Sequence, residues 1–113
     1  MATIDYAAEI RALRATYDSV AAVSDAETLL KEITELEQQA AAPDLWDNPD
    51  EAQKVTSQLS HKQSKVDRLR KIESRIDDLE VMVELAEDED DQETRDAAAE
   101  ELTSIQKALS ELE

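Results

Sequence analysis

The large apolar residues near the start of the chain fall at Tyr6, Ile10, Leu13, Tyr17 and Val20, spaced 4, 3, 4 and 3. That spacing holds all five on one stripe of a 3.6-residue repeat and predicts a helix over about residues 4–23. Ser24-Asp25-Ala26-Glu27 follows as a capping box, in which the Ser24 hydroxyl accepts from the Glu27 amide and the Glu27 carboxylate reaches back. A second helix is expected over about 25–41, with Leu29, Leu30, Ile33, Leu36 and Ala40 on its buried face. It stops before Pro43, because the residue ahead of a proline is pushed out of the helical region.

Periodicity then lapses through Pro43-Asp44-Leu45-Trp46-Asp47-Asn48-Pro49. Asn48, Pro49 and Glu51 restart it as cap, first helical residue and capping acid. A helix over about 49–88 runs from there without Gly or Pro, roughly 60 Å at 1.5 Å per residue. Its stripe changes face on the way. Ala52, Val55, Leu59, Val66 and Leu69 follow one seam, interrupted by Lys62, whereas Ile72, Ile76, Leu79, Val83 and Ala86 follow a rotated one. Such a phase shift gives the two halves different partner helices. Val81, Met82 and Leu85 make Leu79–Ala86 apolar nearly all round, so this segment is expected to be the most buried part of the helix.

After the polar break Glu87-Asp88-Glu89-Asp90-Asp91, with Asp90 or Asp91 as a cap, a last helix over about 91–113 carries Ala98, Leu102, Ile105, Leu109 and Leu112. It is expected to fold back antiparallel on the second half of the long helix, leaving the first two helices to cover the first half. The closing stripe meets no Gly or Asn stop signal, which reads as a chain cut from a longer one.

Composition sharpens this picture. Of the 113 residues, 17 are Ala, so the 41% hydrophobic fraction leaves few large side chains for a core. The expected fold is all-α: an elongated antiparallel helical bundle or coiled coil with one long central helix, forming a single domain over 1–113. There is no Gly, which removes phosphate-cradling loops, dinucleotide fingerprints and nucleophile elbows, all of which need backbone without a side chain. There is no Cys, which removes disulfides, thiolate metal sites and cysteine nucleophiles and fits a reducing, cytoplasmic setting. The sequence shows neither a secretory leader nor an apolar run long enough for a membrane span.

Candidate chemistry is sparse. His61 is the single histidine, with Ser57, Gln58, Ser64 and Lys65 at the helical neighbour positions, and it reads as a solvated side chain rather than a ligand or base. The acidic run 87–91 lacks the Gly of a calcium loop and reads as a solvated turn. No catalytic residue, cofactor site or metal site is expected. Net charge is −17, yet Lys54–Arg75 holds seven bases and two acids, while residues 76–94 hold ten acids and no base. Lys62, Lys65, Arg68, Arg70, Lys71 and Arg75 form a basic contact stripe, open to two readings: complementarity to acidic neighbouring helices, or RNA phosphate binding. The aromatic residues lie far from it in sequence, which argues against base stacking and sequence-specific nucleic-acid recognition. Leu45 and Trp46, between two prolines, read as a structural anchor plugging the bundle or as a partner hot spot.

The stretch Pro43-Asp44-Leu45-Trp46-Asp47-Asn48-Pro49-Asp50-Glu51-Ala52-Gln53 resembles the connector near the N-terminus of the bacterial peptide chain release factor 2 family. Val83-Glu84-Leu85-Ala86, the turn with Asp90-Asp91-Gln92-Glu93 and the leucine-spaced closing helix extend the resemblance over the whole chain. It implies the N-terminal helical domain of a factor that ends translation at UGA and UAA codons through a Ser-Pro-Phe decoding tripeptide and a Gly-Gly-Gln hydrolytic loop. Neither tripeptide is present. The resemblance therefore implies an architectural and interaction module, not an enzyme, that contacts the ribosome at the large-subunit stalk base and, through the parent protein, the class-II release factor GTPase. The alternative reading is a free-standing acidic coiled-coil adaptor or nucleic-acid mimic.

Overall fold

A computed structural model describes residues 4–112. Four α-helices succeed one another: α1 (Tyr6–Ser24), α2 (Ala26–Ala41), α3 (Pro49–Glu89) and α4 (Gln92–Leu112), with a 3-10 segment at Pro43–Asp47 ahead of α3. The described residues contain no strand, and the 41-residue α3 is the long central helix that the unbroken periodicity requires.

Aspartates make the tight turns that glycine makes elsewhere. Asp25 and Asp90 both have φ of 50°, the left-handed region that Asp tolerates better than most residues because its short side chain bonds locally. The expected capping box is thereby displaced. Helix α1 continues through Ser24, so Asp25 is the cap of α2, its Oδ1 accepting from the Thr28 amide at 3.3 Å. Asp5 caps α1 through the Ala8 amide at 3.1 Å. Asp91 opens α4, accepting from the Glu93 amide at 3.0 Å and the Thr94 hydroxyl at 2.9 Å. Each such cap is worth about 1 kcal/mol.

Two compact units divide the chain, Ser24–Leu69 being one and α1 up to Val23 with the chain from Arg70 onward the other. The latter is a three-helix bundle. Ile10 and Leu13 of α1 meet Ile72, Ile76, Leu79 and Val83 of α3 and Ala98, Leu102, Ile105 and Leu109 of α4 in one cluster. Tyr6, Tyr17, Met82, Ala108 and Leu112 pack around it. Arg14 bridges Asp77 at 3.0 Å and Glu80 at 2.6 Å, while the Arg75 guanidinium donates to Glu101 at 2.8 Å and Ser104 at 2.7 Å. Surface pairs of this kind, part-buried at most, contribute little stability but favour one helix register over its alternatives.

This arrangement corrects the expected partnering. Helix α1 does not cover the first half of α3; it joins α4 on the second half. The physical reason is width. The seam Ile72–Ala86 carries a large apolar residue on nearly every turn and accommodates two helices, whereas the first half has Lys62 within its seam and buries against one. In that second unit Leu29 and Ile33 of α2 pack on Val66, with Leu59 at the edge. Lys62 is kept by an ion pair to Glu32 of α2. Leu30, expected on the buried face of α2, is exposed, because one helix neighbour covers a narrower stripe than the sequence pattern offers.

Leu79–Ala86 is likewise not buried on all sides. Leu79 is fully inaccessible, but Val81 and Leu85 are 55% and 49% exposed on the face that neither α1 nor α4 covers.

Tyr6 and Tyr17 give the bundle a pH dependence. Burial raises both phenol pKa values above 10, assisted by the charge of Asp96 at Tyr6 and of Glu73 at Tyr17. A raised folded-state pKa means the native state holds the proton more tightly than the unfolded chain. The associated stability is complete below the ordinary phenol value and is lost as pH rises through the folded-state pKa. Denaturant midpoints are thus expected to fall on going above about pH 10, and Tyr17→Phe is expected to flatten that decline.

Candidate functional site

The connector between α2 and α3 is built from local rules. The Ala42 amide caps α2 by donating to the Gln39 carbonyl at 3.2 Å. Pro43 then begins the 3-10 segment, closed by the Leu45 amide on the Ala42 carbonyl at 3.2 Å and the Asn48 amide on the Leu45 carbonyl at 3.1 Å. Asn48 caps α3 as its sequence position requires, its Oδ1 accepting from the Glu51 amide at 3.4 Å, with Pro49 as the first helical residue.

Trp46 sits on this frame without plugging a core. Its indole N–H donates to the Ala40 carbonyl at 3.2 Å, satisfying one of the acceptors that the last turn of any helix leaves open. Trp46 is 58% exposed, and Leu45 beside it is half-buried. The segment is only five residues long and brings no second apolar layer to cover a bicyclic ring. The outcome is an aromatic side chain fixed at its polar edge with a free face, flanked by Asp44, Asp47 and Asp50.

The basic stripe divides by partner. Lys62 is engaged by Glu32, and Arg75 by Glu101 and Ser104. Lys65 and Arg68 in the first half of α3, and Arg70 and Lys71 in the second, are exposed and make no ion pair among the described residues. Two of the six bases therefore serve intramolecular complementarity, and four face solvent.

His61 is exposed at a groove of about 310 Å³ lined by Glu32, Glu35 and Gln39 of α2 with Gln58 and Lys62. Sequence spacing finds no carboxylate near His61 on its own helix; α2 brings two acids to the same groove, a juxtaposition with no signal in local sequence. Among the described residues no group of three or more His, Cys, Asp or Glu is placed to hold a metal ion. No described helix is long and apolar enough to cross a membrane.

An all-helical scaffold with an aromatic connector held between α2 and α3 defines a class of helical domain. The particular family is shown by comparison: residues 29–113 match the PCRF domain, and the chain belongs to that family. Across its full length it is 59% identical to peptide chain release factor 2 of Pseudarthrobacter chlorophenolicus, 58% to that of Arthrobacter sp. and 50% to that of Streptomyces avermitilis. The chain spans about 30% of the length of these relatives.

Proposed function

We propose that this chain acts in translation termination as the N-terminal helical domain of a class-I peptide chain release factor. The observation that carries the reading is similarity over the entire chain to proteins of that name, at 59% and 58% identity, together with the PCRF match. In this reading the parent protein works in the cytoplasm at UGA and UAA codons, and the chain itself is architectural rather than catalytic. Residues 1–113 form one helical domain of that longer protein.

Its partner is the large ribosomal subunit at the stalk base, with coupling to the class-II release factor GTPase through the parent. Leu45 and Trp46 supply the aromatic contact, supported by the free ring face above a pinned indole N–H. Lys65, Arg68, Arg70 and Lys71 supply the basic contacts, supported by their exposure and by the lack of an ion pair to any of them among the described residues. Lys62 and Arg75 are taken up by acids of α2 and α4.

Co-sedimentation of the chain with bacterial large subunits tests the proposal. Binding is expected with intact subunits, with a loss of about ten-fold for Trp46→Ala or on removal of the stalk-base proteins. Equal binding to stalk-depleted subunits, or peptide release catalysed by the chain alone, overturns it.

A further inference from the structure

The outer face of α3 in the three-helix unit is unfinished. Val81 and Leu85 lie one turn apart, half-exposed, on the side of the helix away from α1 and α4. Single exposed aliphatic residues are ordinary on protein surfaces; an adjacent pair in a segment apolar on both sides is not, since a helix with two apolar faces normally buries both. The covered face contains Leu79 and Val83, and among the described residues nothing in this unit buries Val81 and Leu85 on the other.

The frame around the pair is entirely acidic. Positions three and four residues from Val81 or Leu85 are Asp77, Asp78, Glu84, Asp88 and Glu89, apart from Met82 and the pair itself. Asp77 shares Arg14 with Glu80. Asp78, Glu84, Asp88 and Glu89 are exposed and have no cationic partner among the described residues. No base occurs between Ile76 and Thr94, although Arg11 and Arg14 of α1 line the groove that Glu84 borders.

We propose that this face docks a cationic amphipathic helix of another protein, two aliphatic residues of the partner seating on Val81 and Leu85 while its Lys or Arg side chains pair with Asp78, Glu84, Asp88 and Glu89. Charge selects the occupant. A second copy of this chain would bring the same acids against these, at a net charge of −17 per copy, and a nucleic acid would be repelled by the excess of acids on this face. A basic helix satisfies the apolar pair and the acids together, in the helix-on-helix mode read as anchors at i, i+3, i+4 and i+7. The inference stands on α3 and holds whether or not the chain works at the ribosome.

Amide chemical-shift titration of the chain with a synthetic Lys/Leu helix, leucines at i, i+3, i+4 and i+7, tests it. The expected shifts centre on residues 77–89 and weaken with added salt. A Val81→Gln, Leu85→Gln double variant keeps its charge and, by circular dichroism, its helicity, and is expected to lose at least about ten-fold in affinity. Asp78→Asn with Glu84→Gln is expected to weaken binding through charge alone. Equal binding of a scrambled peptide of the same composition overturns the proposal. So do undiminished binding by the double variant, shifts centred elsewhere, no binding of the peptide, or self-association of the chain through Val81 and Leu85.

Discussion

Replacing Leu79 with Ala is expected to lower unfolding free energy by about 2–5 kcal/mol, against a change within about 1 kcal/mol for Leu85→Ala six residues along the same helix. Leu79 is fully inaccessible and belongs to the cluster shared by α1, α3 and α4, together with Ile76, Ile105 and Ala98. Three separate helices converge there, and none can shift inward without disturbing the other two interfaces. The vacated volume therefore remains largely as a cavity, which adds to the lost transfer free energy. Leu85 is 49% exposed, so truncation removes little buried area. Thermal melts of the two variants check this: a drop of roughly 10 °C or more is expected for Leu79→Ala and a few degrees at most for Leu85→Ala. Equal shifts would mean that the covered face of α3 has been assigned wrongly.

Arg70→Pro is the second large effect, at about 3 kcal/mol or more, with Arg70→Ala near neutral. Arg70 is exposed and sits where α3 passes from one compact unit to the other. Proline there removes a backbone N–H and places its ring against the carbonyl one turn back, while alanine removes only the side chain. The difference between the variants isolates the contribution of an uninterrupted α3. Calorimetry carries a further outcome. If residues 1–113 are one domain, as proposed, the wild-type chain melts in a single transition. Two separable transitions, with Arg70→Pro sharpening the separation, would assign the units to distinct domains.

Much of this molecule can be read along the chain. The 4, 3, 4, 3 spacing of Tyr6–Val20 and Ala98–Leu112, and the Asn48-Pro49 start of α3, are local statements, and the helices follow them closely. The phase shift near Leu69 also predicts a change of partner, which falls at the boundary between the units. Other features depend on neighbours. Ser24 is an adequate cap by composition, but α1 runs through it, and the turn falls on Asp25. The two acids beside His61 come from α2. Trp46 has the composition of an anchor and the surroundings of a surface, because its short segment brings nothing to lie on it. Of the six bases in the stripe, those with intramolecular work are the two that meet Glu32 and Glu101, acids remote in sequence.

Spacing and capping residues alone define a set of helices with starts, stops and stripes, in 113 residues that contain no glycine and no cysteine. Helical periodicity and capping act within a few residues, so they are legible without a fold. The tertiary structure alone decided that α1 joins α4 on the second half of α3, and which side of Leu79–Ala86 is covered. A stripe records that a face wants burial, but not which of several equally apolar faces will meet it. That choice is made by width, charge and the space three helices can share, and here it left Val81 and Leu85 in the open.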